Sequence, residues 1–73
     1  MAEFTAVFEK DGDWYIGWVE EFGGAFGQGR TLDEARESLR EAVILVLEAK
    51  RQRAAEELVG RDVIRERIAV PVP

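Results

Sequence analysis

The stretch GGAFGQGRTLDEA, residues 23–35, places four glycines in seven positions immediately before a helix start. Thr31 has the hydroxyl that caps a first helical turn, and Glu34 follows three residues later as in a capping box. Phe26 lies between glycines that allow a bulge or the close approach of another backbone segment. The stretch therefore predicts a short strand near Ala25–Gln28, followed by a helix that starts at Thr31.

The same glycines raise the question of a phosphate site, because glycine-rich turns that enter a helix hold phosphates in several folds. A Walker A loop needs Lys and then Ser or Thr after its last glycine, whereas Gly29 is followed by Arg30 and Thr31. The dinucleotide spacing G-x-G-x-x-G is also absent. Asp33 and Glu34 would repel a phosphate at the helix start, although Arg30 could offset one of these charges in a weak anion contact. We expect a structural role for the glycines and no cofactor.

A long amphipathic helix is predicted after this turn, since neither Gly nor Pro occurs before Gly60 and apolar residues recur at helical spacing to about Leu58. The recurring positions are Leu32, Ala35, Leu39, Ala42, Val43 and Val46. Ile44, Leu45 and Leu47 widen the apolar stripe beyond what one sheet face would cover. We predict that these three residues contribute to an interface between copies of the chain.

Upstream of the glycines, the runs EFTAVFE (3–9) and WYIGWVE (14–20) alternate around the turn sequence KDGD (10–13), which predicts an antiparallel hairpin. Downstream of the helix, VIRERIAVPVP (63–73) reads as a final strand that ends at its prolines. The predicted architecture is a single α+β domain over residues 1–73 with the order β-β-β-α-β. Three antiparallel strands pack on one long helix, and the last strand joins the sheet.

Composition narrows the range of functions. The 73 residues contain neither Cys nor His, so disulfides and the usual transition-metal sites are excluded. The net charge of −5 argues against nucleic acid as the main ligand, and residues 1–30 alone carry six acids against two bases. An acidic front half suits a basic protein partner, with ordinary solubility as the alternative. No basic-then-apolar leader and no membrane-length apolar run occurs, so we expect a cytoplasmic protein.

Catalytic groups are sparse. Ser38 is the single serine, and without His or Cys no nucleophilic triad can be built. The carboxylate pairs Asp11–Asp13 and Glu20–Glu21 belong to a turn and a strand end, where they would not converge on one metal. We therefore expect no enzymatic activity. The bases at 61, 65 and 67 lack an aromatic platform and predict a solvated strand face more than a nucleic-acid site.

The order of elements, together with residues 4–47, resembles the HicB-like antitoxins of bacterial and archaeal toxin–antitoxin systems. The residues that match the family run T-Q-G-x-T and the helix opening L-x-E-A are Gly24, Gln28, Gly29, Thr31, Leu32, Glu34 and Ala35. The chain departs from the family where proline, aspartate and cysteine usually stand, and has Glu20, Glu21, Gly23 and Ala25 there. The C-terminal DNA-binding domain that family members often carry is not found within these 73 residues.

The resemblance implies a partial RNase H-like fold without nuclease carboxylates. It also implies a role in neutralising a small basic, RNA-cleaving toxin of the HicA-like kind by protein–protein contact. The candidate contacts are the acidic loop Glu20, Glu21 and Phe22 and the sheet face that the helix leaves open. Should that face carry Tyr15 and Val19, Tyr15 would be the anchor; both could instead be scattered surface side chains. The alternatives are a stand-alone structural or regulatory homo-oligomer and a DNA-binding regulator that uses the Arg61–Arg67 segment.

Overall fold

The structure, a computed structural model, describes residues 2–71. Its elements are β1 (Ala6–Asp11), β2 (Trp14–Val19), β3 (Phe26–Gly29) and α1 (Leu32–Glu57). The strands form an antiparallel sheet in the order β1-β2-β3. The helix packs on one face of this sheet, mainly against β3 and less against β2. The predicted α+β class, with three antiparallel strands and one long helix, is confirmed.

The hairpin follows the predicted alternation with a small shift. A two-residue connection, Gly12 and Asp13, joins β1 to β2, so that β1 continues to Asp11 instead of ending at residue 9. Directly opposite residues share a sheet face, and the register pairs Val7 with Trp18 and Phe8 with Gly17. Each strand therefore contributes alternate side chains to the helix side and to the opposite side.

The helix begins where the capping residues predict. The Thr31 hydroxyl accepts a hydrogen bond from the Glu34 N–H at 3.1 Å. The Glu34 carboxylate reaches back to the Arg30 N–H at 2.9 Å, one residue before the partner expected in a capping box. At the other end Leu58 caps the helix, and Gly60 makes the turn that follows with a φ of 74°. Both predicted helix ends are thus confirmed to within a residue.

Replacement of Thr31 by Ala removes the acceptor for the Glu34 N–H and should lower the free energy of unfolding by about 1 kcal/mol. Thr31→Ser keeps the hydroxyl and serves as the control; its free energy of unfolding should fall by only a few tenths of the loss expected for Thr31→Ala. Urea unfolding followed by circular dichroism measures both variants. An Ala variant with the midpoint of the parent chain would show that the cap does not stabilise the helix.

The glycines of β3 let the helix approach the sheet. A Cβ atom at Gly27 would lie 2.4 Å from the Leu39 backbone nitrogen, and one at Gly29 would lie 2.6 Å from the Ala35 nitrogen. Both distances are far below van der Waals contact, so α1 rests directly on the β3 backbone. Gly27 and Gly29 thus form a packing surface for the helix, whereas a Cβ at Gly23 or Gly24 would meet nothing within 4 Å.

The core that results is small. Val19, Ala25 and Leu39 form its buried cluster, and Ala35 is buried beside them. Half-buried apolar side chains pack around the cluster; they are Phe4, Phe8, Phe22, Ala42, Val43 and Val46. The helix of 26 residues is about 39 Å long, whereas a six-residue strand covers about 20 Å. Residues 48–57 therefore extend beyond the sheet and are exposed.

The segment after the helix differs from its prediction. Residues 61–71 form no strand and are exposed throughout; residues 72 and 73 of the predicted strand lie outside the described residues. The radius of gyration is 16.0 Å, whereas a compact chain of this length has about 11 Å. The predicted final strand is therefore wrong, because a strand is stable only beside a partner edge and residues 61–71 pair with none of the three strands.

Candidate functional site

One face of the sheet is left uncovered by the helix. Across the three strands it carries the row Val7–Trp18–Phe26, next to the row Glu9–Ile16–Gln28. Asp11 and Trp14 follow in a third row, with the Arg30 guanidinium 5.0 Å from the Trp14 ring centroid. We call the apolar part of this surface, namely Val7, Trp14, Ile16, Trp18 and Phe26, the open face.

The open face combines large apolar side chains with solvent exposure. Phe26 is 70% exposed and Trp14 is also exposed, while the other three members are half-buried. Contiguous apolar surface of this kind, rimmed by polar groups, is typical of a protein-binding site. Tryptophan and phenylalanine are also enriched in the central parts of interfaces between proteins.

Acidic side chains border the open face along β1. Glu9 and Asp11 point to the same side as the open face, since they lie opposite Ile16 and Trp14. Glu20 follows β2 with the same alternation and is exposed. On the β3 side the charged neighbour is Arg30, which covers the Trp14 ring. A partner that meets this surface would encounter negative charge along one edge.

The sequence assignment of the open face to Tyr15 and Val19 is wrong. Val19 is only 5% exposed and lies in the buried cluster with Leu39. Tyr15 points to the same side as Val19, opposite Gly29, and the Lys10 amine lies 5.9 Å from its ring centroid. The helix covers this side because glycines in β2 and β3 provide the space for it.

The predicted acidic loop is held against the start of β1. Both Glu21 carboxylate oxygens accept the Thr5 N–H, at 2.8 and 2.9 Å, and the Glu20 N–H donates to the Thr5 carbonyl at 3.0 Å. The Phe22 ring packs edge-on against Phe4 with ring centroids 5.3 Å apart. Glu21 and Phe22 therefore make intramolecular contacts that fix the loop, while the Glu20 side chain faces solvent.

The hydrogen bond from the Thr5 N–H lowers the pKa of Glu21 below its ordinary value of 4.5. A lowered carboxyl pKa stabilises the folded state above the pKa of the unfolded chain, and this stabilisation is lost as the pH falls through the folded pKa. The thermal unfolding midpoint of the parent chain should therefore decrease as the pH is lowered below about 4.5, in part because Glu21 becomes protonated.

Glu21→Gln should lack that component of the pH dependence, and Glu20→Gln, which keeps the Thr5 contact, should retain it. Thermal unfolding between pH 2 and pH 7 compares the three proteins. Parallel curves for the parent chain and Glu21→Gln would contradict the assignment.

The residues predicted at an interface between copies lie on two sides of the helix. Ile44 and Leu45 are exposed, and Leu47 is half-buried. Ile44 and Leu47 line an apolar groove of about 600 Å³ between β1 and α1, which we call the β1–α1 groove. Its apolar walls include Phe4, Phe8, Leu39, Val43, Ile44 and Leu47. Arg36 and Arg40 also line it.

Within residues 2–71, clustered carboxylates could serve a metal ion and a long apolar helix could serve a membrane. No group of three or more His, Cys, Asp or Glu side chains lies close enough together there to hold a metal ion. Within the same range, the helix lacks the combination of length and apolar character required to cross a membrane. The bases Arg61, Arg65 and Arg67 lie in the exposed segment after the helix and are not gathered on a sheet face.

Comparison with known proteins places the chain among small proteins of similar length. It is 36% identical over 59 residues to a UPF0150 protein of Synechocystis sp. (strain PCC 6803), a match that spans 80% of this chain and 86% of the relative. It is 36% identical over 63 residues to a UPF0150 protein of Archaeoglobus fulgidus, which spans 85% of this chain and 91% of that relative. No family model and no solved structure matches. The chain belongs to the UPF0150 family.

Proposed function

We propose that the protein is an antitoxin-like binding module that uses the open face to hold a small basic, RNA-cleaving protein in the cytoplasm. The observation that carries this proposal is the open face itself, a cluster of aromatic and aliphatic side chains on the side of the sheet that the helix does not cover. Leaving Phe26 and Trp14 in water is unfavourable, and contact with a partner would remove that apolar surface from solvent.

The charge around the open face favours a basic partner. Glu9, Asp11 and Glu20 border the apolar centre, and the whole chain carries a net charge of −5. Such an arrangement steers a cationic protein to the surface and disfavours an acidic one. The resemblance of the segment GQGRTLDEA to the HicB-like antitoxins names the class of partner, a toxin that cleaves RNA. The proposed role is therefore inhibition by contact, with no chemical step by this chain.

The test uses the product of the adjacent reading frame as the probe, provided that it is small and basic. The two proteins are co-expressed and purified, and cleavage of a defined messenger RNA by the probe is measured with and without this chain. We expect a stable complex and suppressed cleavage. An adjacent product that forms no complex, or that cleaves RNA equally fast in its presence, would refute the proposal, as would adjacent genes that encode no small basic protein.

Phe26→Asp should weaken that complex at least tenfold, because a carboxylate replaces the most exposed aromatic ring of the open face. The matched control is Val59→Asp, which changes an exposed apolar residue in the turn after the helix. Isothermal titration calorimetry gives both dissociation constants, and circular dichroism confirms that both variants are folded. Equal affinity for the two variants would exclude the open face as the binding surface.

A further inference from the structure

The chain contains two apolar features that do not meet in the structure. One is the β1–α1 groove, which exists because the helix lies over β3 and β2 and leaves the helix side of β1 uncovered. The other is the segment 63–70, in which every second residue forms an apolar row that is interrupted by one acid. Ile64 and Ile68 of that row are 89% and 78% exposed.

We propose that two copies of the chain form a dimer in which segment 63–70 of each copy lies extended in the β1–α1 groove of the other. The exchange is reciprocal, so the same two surfaces are used twice around a two-fold axis. It covers the groove and the apolar row together. The open face lies on the opposite side of the sheet and remains accessible, so the dimer does not depend on the proposed function.

Charge supports this placement of the segment. Glu66 lies in the same alternating row as Ile64 and Ile68, so it enters the groove with them. The groove is lined by Arg36 and Arg40. In the single chain these two bases pair with Asp33 and Glu37 on their own helix, in exposed contacts that are individually weak. The segment thus has its acid where the groove has its bases.

The outer edge of β1, which borders the groove, also favours an extended segment there. At the outer edge of β3, helix side chains accept two backbone hydrogen bonds. The Ser38 hydroxyl accepts one from the Gln28 N–H at 3.1 Å, and the Glu34 carboxylate accepts one from the Arg30 N–H. No comparable bond to the outer edge of β1 is found among residues 2–71. An extended segment can therefore add to β1 through its backbone. Pro71, which lacks an N–H, ends such pairing directly after the segment.

The length of the helix favours a second copy over the chain's own segment. Leu47 is the last groove residue on the helix, ten residues or about 15 Å before the helix ends at Glu57. A segment folded back from Gly60 would advance about 13 Å by Ile64 and about 26 Å by Ile68, so Ile68 could enter the groove of its own chain but Ile64 would stay beside the extension at 48–57. That extension, EAKRQRAAEE, offers no large apolar side chain. Exchange between two copies removes this constraint, so that Ile64 can enter the groove together with Ile68.

The first test is the mass of the full chain in solution. Sedimentation equilibrium at micromolar concentration should give twice the chain mass of 8.3 kDa. The double variant Ile64→Asp and Ile68→Asp should be a monomer under the same conditions, and because both side chains are exposed in the single chain, its helix content should be unchanged. Val59→Asp, the matched control outside the segment, should remain a dimer. A parent chain of 8.3 kDa, or a dimeric double variant, would overturn the proposal.

The second test separates exchange between copies from folding back within one chain. The parent sequence has no cysteine, so Ala6→Cys on β1 and Ile68→Cys in the segment introduce the only two thiols. Mild oxidation should give a covalent dimer on a non-reducing gel. A cross-linked monomer would show that the segment occupies the groove of its own chain and would overturn the exchange.

Charge reversal tests the register of the segment. Glu66→Arg should weaken the dimer at least tenfold, and Arg40→Glu in the same chain should restore part of that loss. Arg61→Glu, an exposed base that lies before the segment, is the matched control and should change the dissociation constant less than threefold. An effect of Arg61→Glu as large as that of Glu66→Arg would contradict the proposed register.

Discussion

Gly27→Ala should lower the free energy of unfolding by about 3 kcal/mol or more, the largest effect expected for the addition of one methyl group to this chain. The new Cβ would lie 2.4 and 2.6 Å from the backbone nitrogen and Cα of Leu39. Backbone atoms in the middle of a helix cannot swing aside as a side chain does. The whole of α1 would have to rise from the sheet, which opens the buried cluster around Leu39.

Gly23→Ala is the matched control, because a Cβ there meets nothing within 4 Å and the backbone does not have a positive φ. Its stability should stay within about 0.5 kcal/mol of the parent chain. Chemical unfolding of the two variants at one protein concentration provides the comparison. If Gly27→Ala were as stable as Gly23→Ala, the close contact between α1 and β3 would not exist in solution.

Leu39→Ala should cost about 2–5 kcal/mol, since Leu39 is 3% exposed and is the helix residue at the centre of the buried cluster. The total stability of a domain of this size is on the order of 5 kcal/mol, so this variant should be largely unfolded at 37 °C. The cost is large because the cluster contains only a few buried side chains, so few neighbours could move into the cavity that the substitution leaves.

Leu45→Ala makes the same chemical change six residues further along the helix, at a position that is 65% exposed. It should alter the stability by no more than about 0.5 kcal/mol. Thermal unfolding by circular dichroism measures both variants. Equal losses would indicate that helix propensity, and not burial, determines the cost at both positions.

The elements of this fold could be predicted because local signals agree with one another. Thr31 and Glu34 mark the helix start, Gly60 follows its end, and alternating runs flank the Asp11–Gly12 turn. Each signal acts over a few residues and does not depend on the rest of the chain. The strand and helix bounds were therefore within three residues of those observed.

The side of the sheet that the helix covers required long-range information. Both faces of β2 are apolar, so hydrophobicity alone does not distinguish Trp14, Ile16 and Trp18 from Tyr15 and Val19. The distinguishing signal is Gly17, which lies between Tyr15 and Val19 and faces Gly27 across the sheet. A row of glycines marks the side on which a helix can approach closely, and this row would have identified the open face.

The final segment could not be predicted from its own pattern for a different reason. Residues 63–70 alternate as a strand does, yet a strand is stable only beside a partner strand. The position of the segment relative to the sheet depends on how far α1 extends past β2 and β3, which is a property of the whole chain. The pattern describes what the segment can do once a partner edge is available.

The extension of α1 at 48–57 sets both the distance and the direction of everything that follows it. Each residue of a helix advances the chain by about 1.5 Å and rotates it by about 100°. Removal of a full turn would bring the final segment about 5.4 Å closer and leave its heading nearly unchanged, whereas removal of two residues would swing it to the far side of the helix axis. The number of residues in the extension thus sets both how far the final segment lies from the sheet and the direction in which it leaves the helix. The direction is the more sensitive of the two to a change of one or two residues.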